Sequence, residues 1–211
     1  MRVFLSTIAA VAICAGTMAA QYKMEAGGAP PEALPAAAAA AVDPHGYRVT
    51  APDGKPYCQV WIAKSLASGA KNSEEGVSLP AVPHGAFLGV IEFPAAGADR
   101  RGHSIKPGVY GMRYSLYPPD GNHMGAAPQR DFVVLIPAAQ DKAPDALPSY
   151  DELMALSRQT IGRPHPAVLS LYPSPLESLP GFQKEGERDW VLHVKIGSLP
   201  VAIILVGRAE A

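Results

Sequence analysis

Short runs of strand-forming residues, separated by clusters of Pro, Gly and Asp, recur along most of the 211-residue chain. Val, Ile, Tyr and Phe dominate these runs, and such residues fit the pleated, half-buried surface of a sheet. In the first example, "YRVTA" and "YCQVWIA" flank "PDGK" between residues 47 and 63, which predicts a hairpin turned by Asp53 and Gly54. This pattern constrains the chain to a mainly β fold.

Six later runs repeat the pattern, namely "AFLGVIEF" (86–93), "GVYGMRYSLY" (108–117), "RDFVVLIPA" (130–138), "AVLSLYP" (167–173), "DWVLHVKI" (189–196) and "LPVAIILVG" (199–207). The last two predict a hairpin in which Gly197 takes the position of positive φ. Alternation within "DWVLHVKI" places Trp190 and Leu192 on one face, and His193 on the other as a surface or groove residue. The final run is apolar on both faces, which predicts a central strand.

One helix is well marked, in the stretch "PSYDELMALSRQTIG". Ser149 and Glu152 form a capping box at its start, and Gly162 followed by Pro164 ends it. About eight strands with one short helix predict an antiparallel β-sandwich or a partly open barrel. We assign these elements to a single β domain spanning residues 46–211.

The first 20 residues have the three-part layout of a signal peptide. Arg2 precedes an apolar run of about 13 residues, and small residues lead to an expected cut after Ala19 or Ala20. The run is shorter than the roughly 20 residues needed to cross a bilayer, so no transmembrane segment is expected in the mature chain. Lipidation of Cys14 is the alternative, but Ile13 is the wrong size for the preceding residue. We predict a secreted or periplasmic protein.

Residues 21–45 are dominated by Ala, Pro and Gly and contain few bulky apolar side chains. A segment of this composition buries too little surface to offset its ordering entropy. Pro35 and Pro44 bound the alanine run between them, which limits any helix there to a turn or two. We therefore predict a flexible arm or linker, and a free arm of this kind suits packing against a neighbouring subunit.

Charge and cysteine content exclude several classes of protein. The net charge of −1 leaves no basic surplus for binding nucleic acid. Neither a Gly-rich phosphate loop nor alternating βα units occur, so a nucleotide-dependent enzyme is not expected and no cofactor is assigned. Loss of Cys14 with the signal peptide leaves Cys58 alone, which excludes an intramolecular disulfide. Because Cys58 shares a face with Val60 and Ile62, it is predicted to be buried.

The sequence carries no catalytic or metal-binding signature. Gly-x-Ser-x-Gly, Ser-x-x-Lys and His-x-His patterns are all missing, so no catalytic residue and no metal ligand is assigned. A metal site would require the fold to assemble distant side chains, with His103, Asp120 and His123 as the first choice. That alternative is disfavoured because some 15 residues of extended strand separate its two ends.

The connection 118–129, "PPDGNHMGAAPQ", is the main candidate for function. It is longer than the usual hairpin loop of about two to five residues, and long loops on a rigid sheet often bind ligands. We assign as ligand-binding candidates Asp120, Asn122 and His123 in the loop, with Arg113 and Arg130 at its base. The structural alternative is that either arginine holds the loop by pairing with Asp120 or Asp131.

An aromatic face on the strand around residues 57–63 is the second candidate. Alternation puts Cys58, Val60 and Ile62 on one face, and Tyr57 and Trp61 on the other. If the aliphatic face belongs to the core, Tyr57 and Trp61 form an exposed platform for a sugar ring or a partner protein. The alternative is that a second layer or a loop covers Trp61.

The stretch "SIKPGVYGMRYSLYPPDG" resembles the Lys-Pro-Gly-x-Tyr hairpins of uncharacterised secreted bacterial β-sandwich proteins of unknown function. The resemblance implies export and a β fold, and it carries no catalytic residue with it. We therefore predict a secreted or periplasmic, non-enzymatic binding or envelope-associated protein with a protein or carbohydrate partner. Two alternatives stay open, namely a hydrolase or metal-dependent enzyme with a site assembled from distant residues, and a subunit of an extracellular assembly. The oligomeric state is left open.

Overall fold

A computed structural model describes residues 21–117 and 130–209. Its strands are β1 (Lys23–Ala26), β2 (Tyr47–Thr50), β3 (Pro56–Ile62), β4 (Phe87–Phe93), β5 (Gly97–Ala98), β6 (Ser104–Ile105), β7 (Gly108–Leu116), β8 (Asp131–Pro137), β9 (Ala167–Pro173), β10 (Gly181–Glu185), β11 (Asp189–Ile196) and β12 (Leu199–Val206). The helices are α1 (Ala36–Ala41) and α2 (Tyr150–Ile161), with a 3-10 turn at Ala138–Gln140. Ten of the described strands form one antiparallel sheet in the order β1-β2-β3-β4-β7-β8-β9-β12-β11-β10, and β5 pairs with β6.

The ten-stranded sheet curls until its two ends approach each other. The ring of Tyr22, directly before the edge strand β1, is 5.8 Å from that of Trp190 on β11. Trp190 also stacks on Phe182 of the opposite edge strand, β10, with ring centroids 5.6 Å apart. A continuous core cluster extends from Val49 on β2 to Leu205 on β12. The sheet is therefore nearly closed, and the prediction of a mainly β sandwich or partly open barrel is confirmed.

The local signals of the sequence are confirmed in the described residues. Gly54 and Gly197 occupy their hairpin turns with φ of +82° and +59°. Helix α2 is capped by Ser149, whose side chain accepts from the Glu152 N–H while the Glu152 carboxylate accepts from the Ser149 N–H. It ends at Gly162 in the left-handed region. Strand β12 is central, between β9 and β11. None of the helices described here is long and apolar enough to cross a membrane.

Residues 21–45 pack on the domain, so the prediction of a flexible arm is corrected. Strand β1 pairs with β2 along its whole length, and Val42 forms a β-bridge with Ala63. Leu34, Ala38 and Val42 are at most 6% exposed. Composition concealed this because backbone pairing requires no bulky side chain, and because small alanines let α1 lie close to β4. In this structure residues 21–45 pack on the domain of their own chain. The hypothesis of an extracellular assembly requires them to pack on a neighbouring subunit instead.

Cys58 is wholly buried, as predicted, and burial raises the pKa of its thiol. A buried neutral thiol does not act as a nucleophile. In the full chain carrying Cys14→Ser, we expect no reaction of Cys58 with an aromatic disulfide reagent in native buffer, and stoichiometric reaction in denaturant at the same pH. The absorbance of the thiolate released from the reagent measures the extent of reaction under both conditions. Rapid reaction in native buffer would contradict the burial of Cys58.

Candidate ligand-binding cleft

A cleft of about 370 Å³ opens where β7 ends, β8 begins and α2 starts. We call it the β7–β8 cleft, and its walls are formed by Asn72, Glu74, His84, Leu116, Tyr117, Arg130 and Tyr150. Tyr117 and Arg130 flank residues 118–129 in the sequence. The binding candidates Asp120, Asn122 and His123 lie outside the described residues, so their assignment stays a prediction.

Arg130 joins the neighbouring ends of two strands and a loop at the base of the cleft. Its Nε and Nη2 donate to the carbonyl oxygen of Tyr117 at 3.0 and 2.6 Å. Nη1 donates to the carbonyl oxygen of Glu75 at 2.7 Å, and Nη2 lies 2.7 Å from Glu74 Oε2. Among the described residues its acidic partner is Glu74 and not Asp131, whereas Asp120, the other suggested partner, lies outside the described residues. Arg130 keeps its place in the cleft wall while most of its donors hold the surrounding chain.

Asp131 is buried and holds a loop against the sheet. Its Oδ1 accepts from the Leu79 N–H at 2.9 Å and from the Tyr114 hydroxyl at 2.7 Å. Its Oδ2 accepts from the Ser78 N–H at 2.8 Å. In the part of the chain that the structure describes, these three donors and no arginine contact the carboxylate, which corrects the expected Arg–Asp131 pairing. The loop anchored in this way also contains the cleft residues Asn72 and Glu74.

His84 stands on the cleft wall with its ring held in place. Its Nε2 lies 2.9 Å from Ser115 Oγ, and its ring is 6.3 Å from that of Tyr150. Burial lowers the pKa of His84, so the imidazole is neutral at physiological pH. Ser115 is completely buried, so this pair orients the imidazole and presents no accessible nucleophile.

Arg113 is a structural residue, and its assignment as a ligand contact is wrong. Its side chain is 1% exposed and pairs with Asp141 through Nε at 2.9 Å and through Nη2. Nη1 donates to the carbonyl oxygens of Gly85 at 2.9 Å and Ala146 at 2.7 Å. These donors point into the protein, where a ligand cannot reach them. Because Gly85 follows His84, Arg113 acts indirectly by fixing that wall of the cleft.

The predicted aromatic platform on β3 is covered, so its assignment as a binding surface is wrong. Trp61 is 1% exposed, and its Nε1 donates to the carbonyl oxygen of Gly28 at 2.9 Å. The ring of Tyr57 packs against those of Tyr22 and Phe93, at 5.7 and 5.8 Å. The N-terminal segment that supplies Tyr22 and Gly28 forms the covering layer. The alternative interpretation of a covered Trp61 is therefore confirmed.

The histidines in the described part of the chain do not assemble a metal site. No group of three or more His, Cys, Asp or Glu side chains is placed there to hold a metal ion. His103 Nδ1 instead lies 3.1 Å from Asp99 Oδ2, and its ring stacks on that of His165 at 6.4 Å. Asp120 and His123, the other members of the metal alternative, lie outside the described residues.

A second polar cluster surrounds His193, which is completely buried where a surface or groove position was predicted. Its Nδ1 lies 2.9 Å from Ser174 Oγ, and its Nε2 lies 3.0 Å from Glu185 Oε1. The Tyr172 hydroxyl donates to Glu185 Oε2 at 2.5 Å. The prediction failed because the strand pattern marks the two faces of β11 but does not show what covers each face. No local motif joins these residues.

Comparison with known proteins gives no functional assignment for this chain, so an assignment has to be based on the geometry of its structure. No family model matches the sequence, and no similar curated protein or solved structure was found. The resemblance to secreted β-sandwich proteins rests on residues 104–121 and stays a prediction. We therefore base the functional proposal on the β7–β8 cleft.

Proposed function

We propose that this protein is an exported binding protein whose β7–β8 cleft holds a neutral sugar residue. The observation that carries the proposal is the lining of the cleft, in which two tyrosines and a leucine stand beside an imidazole and an amide. Small-ligand sites are mostly apolar clefts of about 300–1,000 Å³ with a few polar groups. A volume of about 370 Å³ suits a ligand of one or two rings.

The two tyrosines supply rigid walls for a ring-shaped ligand. Tyr117 stacks on Phe132 with ring centroids 4.5 Å apart and planes 20° from parallel, which holds its orientation. Burial raises the pKa of Tyr117 to about 12, so its phenol stays uncharged. Tyr150 begins α2 and stands next to His84. Tyr117 is 7% exposed, so the half-buried ring of Tyr150 offers the larger surface to the C–H face of a pyranose. An aromatic side chain loses little conformational entropy on binding.

The charges of the cleft favour a neutral ligand. Glu74 and Arg130 neutralise each other in an ion pair, and burial keeps His84 uncharged. A charged ligand would meet no unbalanced opposite charge among the described lining residues. The side chain of Glu74 is 53% exposed and, with the amide of Asn72, offers hydrogen-bonding groups to sugar hydroxyls.

Export is supported by the first 20 residues, which have the layout of a cleavable signal peptide. Polysaccharides are abundant outside the cytoplasm, so a sugar-binding cleft suits a secreted or periplasmic protein. The absence of recognisable catalytic patterns from the sequence is consistent with binding as the main role of this cleft.

Tyr150→Ala tests the cleft. We expect the full chain to bind members of a panel of neutral mono- and disaccharides in saturation-transfer NMR. Loss of the aromatic wall should weaken binding and raise the dissociation constant about 10-fold. Leu147→Ala is the matched control, because Leu147 is exposed, lies three residues away and does not line the cleft. Failure of every saccharide to bind, or equal binding by Tyr150→Ala, would refute the proposal.

A further inference from the structure

We propose that Ser174 is a nucleophile, with His193 as its general base and Glu185 as a positioning residue, and that the protein hydrolyses small carboxylic esters at this cluster. The proposal is independent of the β7–β8 cleft, since none of these three residues lines it. It gives specific residues to the hydrolase alternative, in which the fold assembles distant side chains.

The three side chains meet in the order that acyl transfer requires. Ser174 lies just after β9, Glu185 ends β10 and His193 is on β11, and the sheet brings them together. The imidazole contacts the serine Oγ through Nδ1 at 2.9 Å and the carboxylate through Nε2 at 3.0 Å. A nucleophile within hydrogen-bonding reach of a base, which is itself oriented by a third group, is the arrangement that activates a serine hydroxyl.

The hydrogen bonds around Ser174 direct its proton towards the imidazole. The backbone N–H of Leu176 donates to Ser174 Oγ at 3.3 Å, so the hydroxyl hydrogen is free to point at His193 Nδ1. The Glu185 carboxylate beside Nε2 favours the tautomer that carries its hydrogen there, which leaves the lone pair on Nδ1. The contact to Nε2 is close but poorly aligned as a hydrogen bond. Contacts of this kind often tighten when a substrate binds.

Protonation states match these roles. Burial lowers the pKa of His193, although Glu185 opposes this, so the imidazole is neutral and basic at physiological pH. Burial acts to raise the pKa of Glu185, but hydrogen bonds from Tyr172 and Gln183, together with the nearby His193, outweigh it and lower the pKa. The base and the carboxylate are therefore both available in the forms that catalysis needs.

Exposure separates this cluster from the other serine–histidine pair in the described residues. Ser115 beside His84 is completely buried, whereas Ser174 is only half-buried in the connection between β9 and β10. The carboxylate side is also open, because Glu185 lines a second cleft of about 390 Å³. The partial exposure of Ser174 is the route by which a small ester would reach its Oγ, because the second cleft opens on Glu185 and is not lined by Ser174 or His193.

The proposed reaction has two steps. Ser174 Oγ attacks the acyl carbon while its proton passes to His193 Nδ1. The ester C–O bond then breaks, and the alcohol leaves with that proton. In the second step water gives a proton to His193 Nδ1 and attacks the acyl-serine. The carboxylic acid leaves, and the proton returns to Ser174. The negative charge of Glu185 stabilises the imidazolium formed in each step.

Covalent labelling tests the nucleophile directly. The full chain is incubated with a fluorophosphonate, in which the serine oxygen replaces fluoride, and the adduct is mapped by peptide mass spectrometry. We expect one adduct on Ser174, and hydrolysis of p-nitrophenyl acetate that is abolished by prior labelling. Ser178→Ala, an exposed serine in the same connection, should label like the wild type. Absence of labelling, or an adduct mapped to another residue, would overturn the proposal. Because the labelled chain is the wild type, this outcome does not depend on whether a Ser174 variant folds.

Variants of the other two residues separate chemistry from structure. His193→Gln should slow labelling about 100-fold, since it removes the general base. Labelling should rise with pH through the pKa of His193. The charged group that acts on His193 is Glu185 on β10. Asp189 and Arg100 act on the neighbouring Tyr172 of β9, and β12 places Ala202 opposite His193. Glu185→Gln removes the charge that raises this pKa, so the midpoint should move to lower pH and the rate should fall. An unchanged midpoint of the pH dependence of labelling would show that Glu185 does not act on His193 in the mechanism.

Discussion

Arg113→Met is expected to lower the free energy of unfolding by about 3–5 kcal/mol, because it leaves the buried carboxylate of Asp141 without its partner. Asp141 is 4% exposed, and Arg113 contacts it through two nitrogens. The substitution also removes the donor to the carbonyl oxygens of Gly85 and Ala146. Urea unfolding followed by circular dichroism measures the loss.

Two companion variants show whether the buried charge is the cause. The double variant Arg113→Met with Asp141→Leu should lose less stability than Arg113→Met alone, because no unpaired charge stays buried. Arg48→Met is the control for losing a surface arginine. Its partner Glu25 is 61% exposed, and the change should remain within about 1 kcal/mol. Equal losses in Arg113→Met and Arg48→Met would contradict the structural role of Arg113.

Trp61→Ala is the second substitution with a large expected effect, again about 3–5 kcal/mol of unfolding free energy. The indole is enclosed between the sheet and the N-terminal segment, and a Cβ at Gly46 would lie 2.6 Å from its Nε1. Truncation leaves a cavity beneath that segment and removes the hydrogen bond to the carbonyl of Gly28. The same urea titration provides the measurement.

Comparison with the second tryptophan makes this result specific. Trp190 is only half-buried near the sheet edge, so Trp190→Ala should lose clearly less stability than Trp61→Ala. Trp61→Phe keeps most of the packing and loses the hydrogen bond, which corresponds to about 1 kcal/mol. A Trp61→Ala chain as stable as Trp190→Ala would show that residues 21–45 do not cover the indole in solution.

Much of the fold was predictable because its signals are local. The turn at Gly54, the hairpin at Gly197 and the capping box of Ser149 and Glu152 each depend on residues within four positions of one another. Strand β12 was predicted as central from its apolar faces alone. Strands β1 and β10 were missed, since both lie at sheet edges and are short and half-exposed, with no apolar run to mark them.

The candidate sites were less predictable because their partners are distant in the sequence. Arg113 was singled out beside a long loop, yet its partner Asp141 lies 28 residues away. Of the cleft residues, Arg130 was assigned from its position, whereas Asn72, Glu74 and Tyr150 carry no signal. His84 was visible only as one of several histidines. Ser174 and Glu185 come beside His193 only through the pairing of β9, β12, β11 and β10.

The sequence by itself therefore determined a mainly β chain, the position of most strands and turns, the boundaries of helix α2 and the burial of Cys58. These follow from two-residue alternation and from residues with special backbone preferences, which act over a few positions. Only the tertiary structure decided that residues 21–45 cover Trp61, that Arg113 is internal, and that Ser174, His193 and Glu185 meet. Burial and hydrogen-bond partners depend on strand order and register, which bring together residues that no local pattern connects.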